Sequence, residues 1–276
     1  MRTWLITGSS RGLGRRLAEA ALAAGDTVVA TARKPEQLDD LVAEYGDRVA
    51  PFALDVTDEA QARAAVSYAV QRFGRLDVVA NNAGYAASAP IEHMPDRDFR
   101  EQFEANFFGV ANVTRAALPV LRRQRSGHIL QFSSVGGRVG GSPGMGAYQS
   151  AKFAVEGFSE VLNNEVKPFG VRVTIIEPGP FRTDWASFST DQAIDPDYDG
   201  TVGEMDRYRA RTAADWPGDP VRAAKVIVDV VNSDEPPLRL LLGATAVDLV
   251  RKSQESRAAE VEQWAEVSRS ADFPQG

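Results

Sequence analysis

The chain has 276 residues, a formal net charge of -7, 43% hydrophobic residues and no cysteine. This negative balance argues against nucleic acid as a partner, the hydrophobic fraction supports a sizeable core, and the missing thiols exclude disulfides and thiolate chemistry. No apolar run reaches the roughly 18 residues of a spanning helix, and His93 and His128 alone cannot build an ordinary zinc site, so neither a membrane nor a metal is expected.

The apolar run from Thr3 to Thr7 reads as a strand starting almost at Met1, which leaves no room for a signal peptide and suggests a cytoplasmic protein. It leads into Gly8-Ser9-Ser10-Arg11-Gly12-Leu13-Gly14 and an Ala/Leu-rich helix near 12–24. Strand, glycine turn and helix in this order aim free backbone N–H groups and the positive end of a helix dipole at a phosphate. A second strand near 27–32 completes a βαβ unit and makes a dinucleotide the expected ligand. Further strands are predicted near 48–54, 76–80, 128–133, 171–176 and 238–242, with helices near 35–45, 58–73, 96–124, 147–167 and 219–233. The alternation predicts an α/β fold: a Rossmann-type, doubly wound parallel sheet of about seven strands with helices on both faces, a single domain over 1–243. His128 at a strand start and His93 in a loop read as structural residues. Arg122-Arg123-Gln124-Arg125 falls at a predicted helix C-terminus, where cations favour the dipole.

Two segments break the rhythm. Residues 184–218 are polar and mixed, and a long loop after the sixth strand is placed to cover a substrate. Phe181, Trp185, Met145 and Tyr85 are the expected lining of a largely apolar pocket. Residues 244–276 read as a C-terminal helical extension with Val247, Val250, Val261, Trp264 and Val267 on a broken apolar stripe. The extension can pack on its own domain or on another subunit.

The chemistry is carried by Tyr148-Gln-Ser-Ala-Lys152, which places a phenol and an ammonium one helical turn apart. A positive charge there is expected to lower the tyrosine pKa from about 10 and make it a proton donor and acceptor near neutral pH. With these residues in view the chain resembles the short-chain dehydrogenase/reductase family. Its Thr-Gly-x-x-x-Gly-x-Gly is Thr7, Gly8, Gly12 and Gly14, its Asn-Asn-Ala-Gly is Asn81 to Gly84, and its Tyr-x-x-x-Lys is Tyr148 and Lys152. Its helix asparagine is similar to Asn106, its serine to Ser134 with Ser133 as competitor, and its Pro-Gly-x-x-x-Thr is Pro178, Gly179 and Thr183. Ser134 stands fourteen residues before Tyr148, one more than is common, and the extra residue falls in Gly140-Gly141-Ser142-Pro143-Gly144.

The resemblance implies catalytic roles for Asn106, Ser134, Tyr148 and Lys152. Tyr148 would exchange the proton, Ser134 would hold the substrate oxygen, and Asn106 would anchor a water linking Lys152 to solvent. It also implies a cofactor cradle of Gly8, Ser10, Arg11, Gly12, Leu13 and Gly14, then Asp55 and Val56, then Asn82, Ala83 and Gly84, then Tyr148, Lys152, Pro178, Gly179, Phe181 and Thr183. Asp55 would contact the adenine, the other reading being a helix cap. The amide of Asn81 is expected to pin neighbouring backbone. An NAD enzyme of this fold carries an acid at the end of the second strand, where this chain has Ala32 followed by Arg33 and Lys34. With Arg11 in the glycine turn, Arg33 therefore favours NADP(H), with NAD(H) as the alternative. The expected activity is hydride transfer between nicotinamide and a carbonyl or secondary alcohol of a small hydrophobic substrate, in a homo-oligomer as is common in the family. The alternatives are a non-catalytic dinucleotide sensor and an NAD-dependent dehydrogenase of the same fold.

Overall fold

Seven short runs rich in Val, Ile, Leu and Ala form one parallel sheet, because strands apolar on both faces are stable only where helices cover both sides. The computed structural model describes residues 1–183 and 194–273. Its strands are β1 (Thr3–Ile6), β2 (Thr27–Ala32), β3 (Val49–Ala53), β4 (Val78–Asn81), β5 (Gly127–Phe132), β6 (Val171–Pro178) and β7 (Arg239–Leu242). They lie in the order β3-β2-β1-β4-β5-β6-β7 with every pairing parallel. The winding reverses between β1 and β4, so the connections after these strands diverge and leave a crevice at the carboxyl edge.

The helices are α1 (Gly12–Ala23), α2 (Asp39–Tyr45), α3 (Glu59–Phe73), α4 (Asp96–Phe103), α5 (Gly109–Gln124), α6 (Gly146–Val166), α7 (Glu204–Thr212), α8 (Pro220–Asn232) and α9 (Ala244–Arg269). Successive strand residues point to opposite faces, and the core divides accordingly. Trp4, Ile6, Val28 and Ala30 join Leu17 and Leu22 of α1, Leu41 of α2 and Ile227 of α8. Leu5, Val29 and Val79 join Val66 of α3, Leu121 of α5 and Leu162 of α6. Asp58 caps α3, accepting from the backbone N–H groups of Ala60 at 2.8 Å and Gln61 at 3.1 Å. The cap is therefore Asp58 and not Asp55.

Three expectations need correction. The segment 35–45 opens as a 3-10 turn, Pro35–Leu38, before α2. The single helix expected over 96–124 is broken by a π-helical turn, Glu104–Phe108. Its cause is local: Asn106 Nδ2 donates to the Gln102 carbonyl at 2.9 Å, competing with the i to i−4 backbone bond. The segment 184–218, expected as one irregular loop, contains α7 preceded by 3-10 and π turns over Pro196–Tyr198 and Asp199–Gly203. Periodicity missed α7 because none of its residues is buried. Contacts beyond the helix hold it instead, chiefly Asp206, which accepts from Ser88 Oγ at 2.9 Å, and Arg209, whose Nη2 donates to Pro143 O at 3.2 Å.

The first half of helix α9 packs on the body, where Arg257 Nη2 donates to Val139 O at 2.9 Å. Ala246 and Val250 are its buried residues, while Val261, Trp264 and Val267 are exposed. Among the described residues no helix is long and apolar enough to cross a membrane.

Candidate active site

The crevice is walled on one side by the glycine turn. Gly8 and Gly12 have φ of 69° and 58°, a region glycine enters without strain. The turn is tied to the loop after β4 through Thr7, whose Oγ1 accepts from the N–H groups of Asn82 and Ala83, both at 2.9 Å. Asn82 returns the contact, its Nδ2 donating to the carbonyls of Thr7 at 2.9 Å and Gly8 at 3.2 Å. A Cβ on Gly14 would collide with this amide and with Gly8 O, so the last glycine of the turn is required by packing.

The residue that pins backbone is thus Asn82, correcting the expectation for Asn81. The Asn81 amide donates instead to Thr114 Oγ1 and Gln131 Oε1, both at 2.9 Å, in a buried polar group beneath the site. Ser9, overlooked in favour of the half-buried Ser10, is fully buried and ties the turn to β2. Its Oγ donates to Ile6 O at 2.8 Å and accepts from Thr31 N at 3.3 Å. Serines in such turns were too generic a signal to separate the two.

Helix α1 begins without a side-chain cap and without an acid in its first turn. Its leading N–H groups and the positive dipole end therefore face the crevice unneutralised, which suits a diphosphate. Gly12 looks across at Thr183, whose Cβ would lie 3.7 Å from a Cβ at Gly12. Arg11 and Arg33 are both exposed at this edge, Arg33 directly after the buried Ala32. Asp55 Oδ1 accepts from Thr57 N at 3.0 Å and Thr57 Oγ1 at 2.8 Å, shaping the loop that ends in the buried Val56. These features fit a dinucleotide. Pro178 ends β6 and Gly179 N donates to Leu242 O at 3.0 Å. Phe181 turns its ring into the core against Gly218 and Gly243, correcting its expected place in the pocket lining. Trp185 lies outside the described residues. Met145 and Ala86 pack with Tyr148, and Tyr85 is partly exposed at the rim.

The reactive group lies further along the same edge. Ser134 follows β5, its Oγ accepting from Gly136 N at 3.1 Å and hydrogen-bonding Tyr148. The structure brings Ser134, not Ser133, to the phenol. The extra residue before Tyr148 is taken up by Gly140, Gly141 and Gly144, all with positive φ. Tyr148 is buried, and burial pushes its phenol up to about 12, opposed by the Ser134 hydrogen bond. Lys152 is buried one turn later, its Nζ donating to Phe132 O at 2.7 Å and lying 5.7 Å from the Tyr148 ring centroid. Burial pushes its ammonium down to about 8, opposed by Glu156. The expected lowering of the tyrosine pKa by lysine is thus overturned in the resting site, where desolvation of the phenolate dominates.

Asn106 completes the set from the π turn. Its Nδ2 donates to Tyr85 O at 2.8 Å as well as to Gln102 O, while its buried Oδ1 has no partner. That acceptor adjoins Gly84, where a Cβ would strike it and come within 3.6 Å of Lys152 Nζ. An orphaned acceptor costs about 1–3 kcal/mol unless satisfied, so this position suits a water or a donor beside the lysine.

Comparison with known proteins agrees with this geometry. The family model described as short chain dehydrogenase matches residues 2–193. An oxidoreductase of Botryotinia fuckeliana, BOA17, is 50% identical over 97% of this chain and 98% of its own. A short-chain dehydrogenase from Streptomyces avermitilis superposes with a TM-score of 0.90 and 42% identity, over 99% of this chain and 100% of that one. Another, from Burkholderia cenocepacia J2315 in complex with NADP, has a TM-score of 0.74 and 26% identity over 95% and 98% of the two chains. Solved neighbours hold NAD in some cases and NADP in others.

Proposed function

The chain belongs to the short-chain dehydrogenase family, and from that premise we propose that it is an NADP-dependent reductase interconverting a carbonyl and a secondary alcohol on a small apolar molecule. The observation that carries the proposal is the buried phenol of Tyr148, hydrogen-bonded to Ser134 and followed one turn later by Lys152, at the same sheet edge as the open N-terminus of α1. A reduced nicotinamide, when bound, supplies hydride to the carbonyl carbon.

The chain's own residues handle the oxygen. A phenol held near 12 stays protonated at neutral pH and so acts as donor. Ser134 orients both the phenol and the substrate oxygen by its hydroxyl. As the proton leaves Tyr148, the developing phenolate gains the attraction of the Lys152 ammonium in a low-dielectric site, which offsets the cost that burial imposes on the resting anion. Asn106 Oδ1, beside Gly84 and Lys152, is placed to hold the water through which the proton is replaced.

Preference for NADP rests on Arg33 and Arg11, two exposed guanidiniums at the end of β2 and in the glycine turn, with no carboxylate at Ala32 to repel a phosphate. An apolar substrate is supported by Met145 and Ala86 packed beside Tyr148. The test is a panel of aryl, acyl and small ketones and their alcohols, read by NADPH absorbance. Tyr148→Phe should lose about 10²- to 10⁴-fold in kcat with cofactor affinity retained. Cofactor binding with no turnover on any substrate, or near-normal kcat in the variant, overturns the reading.

A further inference from the structure

Ser134 stands at the head of a segment with little rigidity of its own. Between it and Met145 the chain carries Gly136, Gly137, Gly140, Gly141 and Gly144, and glycine loses more conformational freedom on ordering than any other residue. Arg138 is the sole charged residue of that stretch. Its Nη1 donates to Glu177 Oε2 at 3.1 Å and Oε1 at 3.4 Å. Glu177, near the end of β6, is fully buried and is met from β7 by Arg239 Nε at 3.3 Å. The same Arg239 Nε donates to the buried Glu156 at 3.1 Å, on the helix that carries Tyr148 and Lys152. Two guanidiniums and two buried carboxylates thus balance one another and join the segment after Ser134 to β6, β7 and α6.

Arg138 is coupled to the serine through a short, closed turn. Ser134 caps the 3-10 turn Val135–Gly137, and Arg138 is the residue that ends it. Gly137 N donates to Ser134 O at 2.9 Å, Arg138 N to Val135 O at 3.1 Å and Gly136 N to Ser134 Oγ at 3.1 Å. The turn is pressed against α6, since a Cβ on Gly137 would lie 2.5 Å from Ser133 Oγ and 2.8 Å from Lys152 Cβ. Bonded in this way it moves as one piece, and the anchor of its side chain sets where the Ser134 hydroxyl meets Tyr148. We infer that Arg138 is a positioning residue for the reaction, tethering the turn to Glu177 so that Ser134 stays within hydrogen-bond reach of the phenol. The inference rests on the catalytic reading of Ser134 and Tyr148 given above. Arg257 of α9 also holds this segment, at Val139 O, but from an exposed position where water competes, so the tether to the buried carboxylate is the stronger one.

The test reads the Ser134–Tyr148 hydrogen bond directly and needs no substrate. In protein labelled with ¹³C at tyrosine Cζ, the resonance of Tyr148, assigned by Tyr148→Phe, is compared in wild type, Ser134→Ala, Arg138→Met and the double variant. Loss of the serine hydroxyl should displace the resonance, Arg138→Met should displace it in the same direction, and the double variant should show no more than Ser134→Ala alone. Arg138→Lys, a shorter side chain that keeps a positive charge on the buried Glu177, serves should the Met variant not fold, and is expected to give a smaller displacement of the same sense. An unmoved Tyr148 resonance in whichever variant folds overturns the inference. The same cycle is then read as kcat on the best ketone of the panel. Arg138→Met should lower kcat by roughly 2- to 12-fold, the worth of one hydrogen bond, and should cost nothing further in the Ser134→Ala background. A slow Ser134→Ala enzyme that loses the same factor again on adding Arg138→Met would overturn the positioning role alone. A Ser134→Ala enzyme with near-normal kcat would instead overturn the catalytic reading of Ser134, and with it the positioning role.

Discussion

His128 offers a sharp quantitative test of the fold. Its ring is buried at the start of β5, with Nε2 hydrogen-bonded to Thr174 Oγ1 at 2.9 Å and Nδ1 left without a partner. Burial, aided by Arg172 and Arg2, pushes its pKa from 6.5 down to about 4. An unfolded chain binds a proton at this residue below pH 6.5, whereas the folded one refuses it until about 4. The stabilisation is thus fully present above pH 6.5 and is lost as pH falls through that window. Each unit of pH costs about 1.4 kcal/mol from this one group, so two units below the unfolded value cost about 2.7 kcal/mol. Glu156 acts with the opposite sign, since its raised pKa favours folding as pH falls, and other acids contribute slopes of their own. The comparison must therefore be between wild type and His128→Gln, whose amide can keep the bond to Thr174 while removing the titration. Urea unfolding is to be followed at about pH 7.5, 6.5, 5.5 and 4.5, a series that starts above the unfolded-state pKa and descends toward the folded-state one. Wild type should lose about 2.2 kcal/mol relative to the variant between about pH 6.5 and about pH 4.5, since the slope is only partial near either pKa. A difference between the two proteins that stays constant with pH would refute a buried, neutral His128.

Three further outcomes follow from the site. Arg33→Ala should weaken NADPH by roughly 10- to 150-fold, the worth of a charge-assisted hydrogen bond of about 1.5–3 kcal/mol, and leave NADH nearly unchanged in a fluorescence titration; equal losses for both would remove the 2'-phosphate contact. Gly14→Ala displaces the Asn82 amide from two carbonyls, each bond contributing about 0.5–1.5 kcal/mol, so calorimetry should find cofactor binding weakened roughly 5- to 150-fold with secondary structure retained. An affinity within about twofold of wild type would contradict the packing argument. Arg209→Ala removes the hydrogen bond that ties α7 to Pro143 O, along with its pairing to Asp206 within the helix, and should raise KM for bulky ketones by roughly 2- to 12-fold while sparing small ones; equal effects on both would mean that α7 does not border the pocket.

Local rules carried much of this protein. Parallel strands buried on both faces read as short apolar runs, and all seven, from Thr3–Ile6 to Arg239–Leu242, could be placed by inspection. The glycine turn and the Tyr148–Lys152 spacing were legible for the same reason, because a positive φ and a one-turn offset depend on neighbours in the chain. The sense of the Tyr148 pKa was not legible, since it depends on how much water the fold removes from the phenol and not on the lysine four residues on. Nor was the choice of Asn82 over Asn81 to clamp Thr7 and Gly8, for adjacent residues in a strand end point to opposite sides and only the sheet decides which side holds the turn. Helix α7 escaped because its anchors, Ser88 and Pro143, lie 118 and 66 residues from their partners. Glu156 and Arg239, 83 positions apart, meet only when β7 is laid beside β6. Periodicity and spacing report interactions within a few turns of backbone, while charge balance, burial and the walls of the site arise from the order in which strands close the sheet.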